Sequence, residues 1–144
     1  MKGIEILLVE DNEGDILLTK EAFEINNIVK KINVAKDGIQ AIDFLLNSLV
    51  DSVLELPDLV LLDINLPKKN GHEVLQFIKT DNRLKHIPVL MLTTSSSESD
   101  ILSCYKNHAN CYITKPAEMD DFHDVITKVE HFWFNLVKIP HRSK

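Results

Sequence analysis

Short apolar runs alternate with amphipathic stretches along the whole chain. Ile4-Glu5-Ile6-Leu7-Leu8-Val9 is aliphatic and β-branched and stops abruptly at two carboxylates, the pattern of a strand buried on both faces of a parallel sheet. Residues 15–26 then place Leu18, Ala22 and Ile25 at helical spacing. The alternation continues with a strand over 32–35 and a helix opened by Gly38 that turns Ala41, Ile42, Leu45 and Leu49 to one side. A strand over 59–62 ends at Asp63, and a helix over 72–80 faces Val74, Leu75 and Ile78 inward. A strand over 89–92 ends at Thr93. The helix after it spans 97–106, with Ser97-x-x-Asp100 or Ser95-x-x-Glu98 as its capping box. A strand over 111–114 and a long helix from 119 to about 136 complete the series. Residues 47–56, longer and more acidic than a tight connector, read as a helix extension plus loop.

Five βα units in strict succession predict an α/β fold with a parallel sheet, right-handed crossovers and helices on both faces. Five units suit the flavodoxin-like (βα)5 strand order 2-1-3-4-5. At 144 residues the chain is expected to be one domain over 1–136, with a short tail over 137–144.

Composition narrows the function. Hydrophobic residues make up 44% and charged residues 26%, an ordinary globular balance. The net charge of −6 and a pI near 5.4 argue against nucleic acid, which is bound by neutralising phosphates with basic side chains. No apolar run approaches the ~18 residues that span a bilayer, and Met1-Lys2-Gly3 leads directly into the first strand without a leader pattern. Two cysteines, Cys104 and Cys111, without CxxC spacing point to a reducing compartment, so a cytoplasmic location is expected. Six histidines show no paired metal spacing and read as surface or capping residues. GxGxxG, GxxxxGK[ST] and GxSxG are all absent, which disfavours a dinucleotide, a nucleotide triphosphatase and a serine hydrolase.

Ligands of an open α/β sheet bind beyond the carboxyl ends of its strands, beside the switch in strand order. Glu10 and Asp11 follow strand 1, Asp63 follows strand 3, Thr93 ends strand 4, and Lys115-Pro116 follows strand 5. Like-charged carboxylates ~4–6 Å apart raise one another's pKa unless compensated. Lys115 supplies one positive charge, and a hard divalent cation is the natural second, since Mg²⁺ takes carboxylates, waters and a phosphate oxygen. The set carries the parts for phosphoryl transfer, with a carboxylate able to act as nucleophile.

Four segments in order, Leu8-Val9-Glu10-Asp11-Asn12, Leu61-Leu62-Asp63-Ile64-Asn65-Leu66-Pro67 with Gly71, Pro88-Val89-Leu90-Met91-Leu92-Thr93-Thr94 and Tyr112-Ile113-Thr114-Lys115-Pro116, make the chain resemble the receiver domain of two-component response regulators. It is most similar to stand-alone, chemotaxis-Y-like members. Phe132-Trp133, Leu136 to Pro140 and Asn65-Leu66-Pro67-Lys68-Lys69 resemble the subgroup associated with cyanobacterial and bacterial phytochromes. The resemblance implies that Asp63 accepts a phosphoryl group from a histidine kinase, with a bacteriophytochrome as candidate, or from a phosphotransfer protein. It implies Mg²⁺ or Mn²⁺ on Glu10, Asp11, Asp63 and the Asn65 backbone carbonyl. Lys115 would pair with the phosphoryl group, Thr93 would be the switch hydroxyl, and Tyr112 the aromatic that reports the state. In that family the bond equivalent to Lys115-Pro116 is commonly cis. With only a short tail after Leu136, output is expected to pass through a partner.

Two alternatives stay open: a degenerate receiver that binds partners without phosphorylation, and a haloacid-dehalogenase-type Mg²⁺-dependent phosphatase. Against the second, the position two residues after Asp63 holds Asn65 rather than an acid. A homodimer through the last two helices and the edge strand between them is also expected. In the last helix Phe122, Val125, Ile126, Val129, Phe132, Trp133 and Leu136 form one apolar stripe. At ~100° per residue, Phe134 lies roughly 140° from its centre and Val137 roughly 80°. Phe134 and Val137 are therefore expected to face outward as the dimer face.

Overall fold

The computed structural model describes residues 3–140. Its elements are β1 (Ile4–Val9), α1 (Glu13–Asn26), β2 (Val29–Ala35), α2 (Gly38–Val50), β3 (Leu59–Leu62), α3 (Gly71–Thr80), β4 (Val89–Thr93), α4 (Glu98–Lys106), β5 (Cys111–Thr114) and α5 (Met119–Glu130), the last continued by one π-helical turn, His131–Leu136. All neighbouring strands pair in parallel, in the expected order β2-β1-β3-β4-β5. Of the expected tail, residues 141–144 lie outside the described residues.

The strands are apolar throughout because both faces of the sheet are covered. With a side-chain period of two, Leu7, Val9, Val60, Leu62, Val89 and Met91 face the layer of α2, α3 and α4, where Leu45, Leu75 and Ile78 pack on them. Ile6, Leu8, Leu59, Leu61, Leu90 and Leu92 face α1 and α5, against Ile16, Phe23, Phe122 and Ile126.

The structure corrects the sequence reading in four places. β2 begins at Val29, three residues earlier than the apolar pattern indicates, because Lys30 and Lys31 are exposed on an edge strand, where lysines discourage further pairing. Ser97 does cap α4, its hydroxyl accepting the Asp100 N–H at 3.1 Å, but the Asp100 carboxylate turns to Ser95 and His72, so no reciprocal box forms. The Lys115–Pro116 bond is trans, like every peptide among the described residues, in keeping with the ~0.5–1 kcal/mol trans preference of X–Pro.

The fourth correction concerns the expected dimer face. From His131 the chain winds as a π-helix, with the Val137 N–H donating to the Phe132 carbonyl five residues back. The wider turn advances fewer degrees per residue than an α-helix, so the apolar stripe shifts register. Phe134 is carried inward against the α1–α5 core, its ring centroid 6.4 Å from that of Phe23. Phe132 and Leu136 are turned outward instead, 46% and 66% exposed, while Val137 is half-buried. Phe134→Ala should therefore destabilise the fold by about 1–3 kcal/mol, as loss of a partly buried aromatic does, and Phe132→Ala should stay within about 0.5 kcal/mol, as at an exposed position. Urea unfolding of the two variants measures the difference, and equal losses would contradict the register.

Candidate functional site

Parallel pairing brings the carboxyl ends of the strands to one edge. Val9 is level with Leu62, Leu62 with Met91, and Thr93 with Thr114. The residues that follow stay tethered: the Asp63 N–H donates to the Val9 carbonyl at 3.1 Å and the Lys115 N–H to the Thr93 carbonyl at 2.7 Å. Glu10, Asp11, Asp63, Thr93 and Lys115 are thus brought together as the sequence suggests. Thr93 is fully buried, and carboxylate oxygens of Glu10, Asp11 and Asp63 lie within 4.8 Å of one another. The close approach continues behind Asp63, where Gly71 bonds through its N–H to the Ile64 carbonyl at 2.8 Å. A Cβ on Gly71 would come within 2.2 Å of the Asp63 carbonyl oxygen, so only glycine lets α3 start there.

Lys115 is the counter-charge. Its side chain is 4% exposed, and its Nζ donates to Glu10, to Asp15 Oδ2 at 2.9 Å and to Asp63 Oδ2 at 3.1 Å. Burial alone would depress the ammonium; hydrogen bonds to Glu10 and Asp15 and the charges of Asp63 and Glu10 outweigh it and hold Lys115 above its ordinary pKa. Burial pushes the Glu10 carboxyl up to about 7, with Lys115 pulling it back and Asp63 adding repulsion. Three clustered carboxylates offer only oxygen donors, which fits a hard divalent cation such as Mg²⁺ or Mn²⁺. Asn65 is exposed, and its backbone N–H donates to Asp63 Oδ1 at 3.4 Å.

Two features escaped the sequence reading. Asp15, seen there only as the start of a helix, reaches Lys115 from the first turn of α1, three residues after the cap Asn12. The second is a chain of polar contacts behind Thr93. The Ser95 N–H donates to Thr93 Oγ1 at 3.4 Å, the Ser95 hydroxyl to Asp100 at 2.6 Å, and His72 meets the same carboxylate at 2.9 Å. Tyr112, half-buried, donates its hydroxyl to the Ser95 carbonyl at 2.9 Å. His72 also lies 3.8 Å from the Cys104 sulfur, so it is no surface histidine. Cys104 is fully buried, and burial pushes its thiol up to about 11, which makes it a packing residue rather than a nucleophile.

Residues 6–127 match the family model for the response regulator receiver domain. The chain belongs to that family. Response regulator Rcp1 of Synechocystis sp. is 41% identical over 135 residues, which cover 94% of this chain and 92% of the relative. The crystal structure of the phosphorylated cyanobacterial phytochrome response regulator RcpA superposes with a TM-score of 0.91 at 40% identity, covering 97% of this chain and 100% of that one. The Mn²⁺-bound form of Rcp1 gives a TM-score of 0.89 at 40% identity, covering 96% of this chain and 99% of that one. Of these relatives, RcpA is a cyanobacterial phytochrome response regulator. Family members are signalling switches, so the dehalogenase-type phosphatase is set aside. No helix among the described residues is long and apolar enough to cross a membrane.

In this receiver domain Lys115 is a buried charge that several carboxylates share. Removing one partner of a buried ion pair leaves the rest uncompensated and costs about 3–5 kcal/mol. Lys115→Met should lower the unfolding free energy by about 3 kcal/mol in EDTA. The same substitution placed on Asp63→Asn should cost less, because one repelling charge is already gone. A double-mutant cycle by urea denaturation checks the sign; equal costs in both backgrounds would mean that Lys115 and Asp63 do not interact.

Proposed function

We propose that this receiver domain, spanning 1–136, accepts a phosphoryl group on Asp63 from a phytochrome-type histidine kinase or a phosphotransfer protein in the cytoplasm and thereby switches partner binding. The observation that carries this reading is a buried carboxylate at the end of the central strand β3, held against one ammonium and two further carboxylates. An Asp63 oxygen attacks phosphorus as the P–N bond of the donor phosphohistidine breaks. Glu10, Asp11 and Asp63, with the Asn65 backbone carbonyl, would hold Mg²⁺ or Mn²⁺, which supplies charge neutralisation for the transferring group. The relatives support the metal, since Rcp1 is known in a Mn²⁺-bound form. Lys115 passes its Asp63-directed N–H to a phosphoryl oxygen. The Thr93 hydroxyl then turns toward another, giving up the Ser95 N–H, and Tyr112 follows the loop.

Incubation with acetyl phosphate and Mg²⁺ should add the mass of one phosphoryl group to the intact protein. Asp63→Asn should add none; uptake at the wild-type rate by that variant would overturn the assignment, and no uptake by wild type would leave a phosphorylation-independent binding module. Mg²⁺ should raise Tm, with ~2.7 kcal/mol gained at a hundredfold excess over Kd. Asp11→Ala should lose most of that rise and Glu13→Ala should keep it. Identical melting curves in EDTA and Mg²⁺ would remove the metal site.

Thr93→Ala should still take up phosphate but no longer couple it to binding. A switch requires a contact that differs between its two states, and here the Thr93 hydroxyl makes it. Kinase or partner affinity, measured with and without a phosphate mimic, tests this; an undiminished gain in the variant would refute the coupling.

Self-association through the α4–β5–α5 side belongs to the same proposal, with Phe132 and Leu136 in place of Phe134 as the outward apolar residues. β5 is an edge strand. Beside it Phe132 and Trp133 line an apolar pocket of about 480 Å³ with Ile113 and Val125. Light scattering at tens of micromolar should show a dimer that Phe132→Ser with Leu136→Ser weakens. A wild-type monomer with and without a phosphate mimic would reject it.

A further inference from the structure

Lys115 has three N–H bonds, and all three are taken: by Glu10, by Asp63 Oδ2 at 3.1 Å and by Asp15 Oδ2 at 2.9 Å. The first two acceptors belong to the acidic cluster at the strand ends. Asp15 does not; it stands in the first turn of α1, 25% exposed at its side chain, and reaches the ammonium from that helix. Its backbone is fixed on both sides. The Asp15 N–H donates to Asn12 Oδ1 at 2.9 Å, and its carbonyl accepts the Thr19 hydroxyl at 2.7 Å. The carboxylate is therefore a rigidly mounted acceptor, whereas the lysine it holds is a point charge on a flexible four-carbon stem.

We propose that Asp15 is a positioning residue of the phosphoryl site: by holding one N–H of Lys115 from outside the acidic cluster, it aims the ammonium at the oxygen of Asp63 that becomes phosphorylated. This rests on the reading that Asp63 accepts the phosphoryl group and Lys115 hydrogen-bonds it. When the Asp63 carboxylate becomes an acyl phosphate, only the N–H directed at Asp63 has to find a new acceptor. The bonds to Glu10 and Asp15 remain, and the one to Asp15, from outside the acidic cluster, keeps Nζ from swinging fully toward the metal-side carboxylates. Without Asp15 the ammonium keeps two acceptors, both inside the cluster, and its third N–H is free to rotate. Asp15 also adds a negative charge beside a site that must admit an anionic phosphodonor, so its hydrogen bond and its charge act in opposite directions. Substitutions can separate the two.

The experiment follows phosphorylation of the full chain by acetyl phosphate in Mg²⁺, with the maximal rate constant and the half-saturating concentration read separately. Asp15→Ala should lower the maximal rate constant about tenfold, the worth of one charge-assisted hydrogen bond, and, with the charge gone, should saturate at lower acetyl phosphate. Asp15→Asn keeps an acceptor oxygen in place without the charge, and should recover most of the rate while saturating at lower acetyl phosphate. Glu13→Ala removes a neighbouring charge from the same helix end, where Glu13 pairs with Lys36, and should behave as wild type. The Mg²⁺-induced rise in Tm, retained in all three variants, shows that the folded metal site survives. Asp15→Ala at the wild-type rate would overturn the proposal while leaving Asp63 as acceptor, and so would Asp15→Asn no faster than Asp15→Ala, which would assign the effect to charge. A wild-type chain that takes up no phosphate would remove the underlying reading instead.

Discussion

The Lys115 ammonium sits almost fully buried where four carboxylates converge, and the rest of the site is arranged around the electrostatic cost of that. Glu10, Asp15 and Asp63 bond to it directly, and Asp11 stands beside two of them. Four negative groups against one positive leave the strand ends anionic. Hydrophobic side chains of similar volume would make a more stable edge, since buried ion pairs seldom repay their desolvation. The uncompensated charge is therefore a standing demand for cations, and the oxygen-only donor set decides that the cation is hard. The raised pKa of Glu10, driven by burial and resisted by Lys115, expresses the same imbalance within a single residue.

That concentration of charge is tolerable because the backbone beneath it is over-determined. The central strands β1, β3 and β4 are buried on both faces and pair in register. Each delivers its last residue to the same edge with the direction fixed by the ladder. The residues that follow strands are bonded back to neighbouring strands, Glu10 to Ala35, Asp63 to Val9 and, after β5, Lys115 to Thr93. A site made of strand ends inherits the rigidity of the sheet, while Ser95, one step farther out, is held through side-chain contacts with Thr93, Asp100 and Tyr112.

Legibility in the sequence follows the same division. Residues whose place is dictated by strand periodicity (Glu10, Asp11, Asp63, Thr93, Lys115) could be located because a parallel order puts every strand end on one edge. Asp15 could not, because periodicity places it on α1 but does not say which first-turn carboxylate turns toward a lysine 100 residues away. The first half of β2 was hidden because an edge strand that opens with two exposed lysines, Lys30 and Lys31, has no apolar signature. Phe134 was assigned to the wrong face because a constant ~100° step fails where the helix widens, and the widening begins at His131, where nothing in residue type announces it. His72 and Asp100 were missed for a different reason: their contact joins two helices whose relative placement depends on the whole fold.

The contacts behind Thr93 bear on what a switch at this site has to overcome. Ser95 is held by bonds of unequal quality: its hydroxyl donates to Asp100 at 2.6 Å and accepts the Ser97 N–H at 3.4 Å, its carbonyl accepts from Tyr112 at 2.9 Å and its N–H donates to Thr93 at 3.4 Å. The bond to the threonine is among the longest, and hydrogen bonds weaken as they lengthen, so a hydroxyl that turns away from the loop forfeits one of the less stabilising of them. The two stronger bonds remain and keep Ser95 tied to α4 through Asp100, whose carboxyl is held below the usual carboxylate range by Ser95 and then by His72. Movement of Thr93 therefore costs little, and it is transmitted as far as it shifts Ser95. A larger rearrangement has to break the Tyr112 or the Asp100 contact, and these connect the loop to β5 and to α3 and α4 respectively. In the proposed switch the Thr93 hydroxyl supplies the contact that differs between the states, and the Ser95 bonds to Asp100 and Tyr112 set how far its movement reaches the α4–β5–α5 surface.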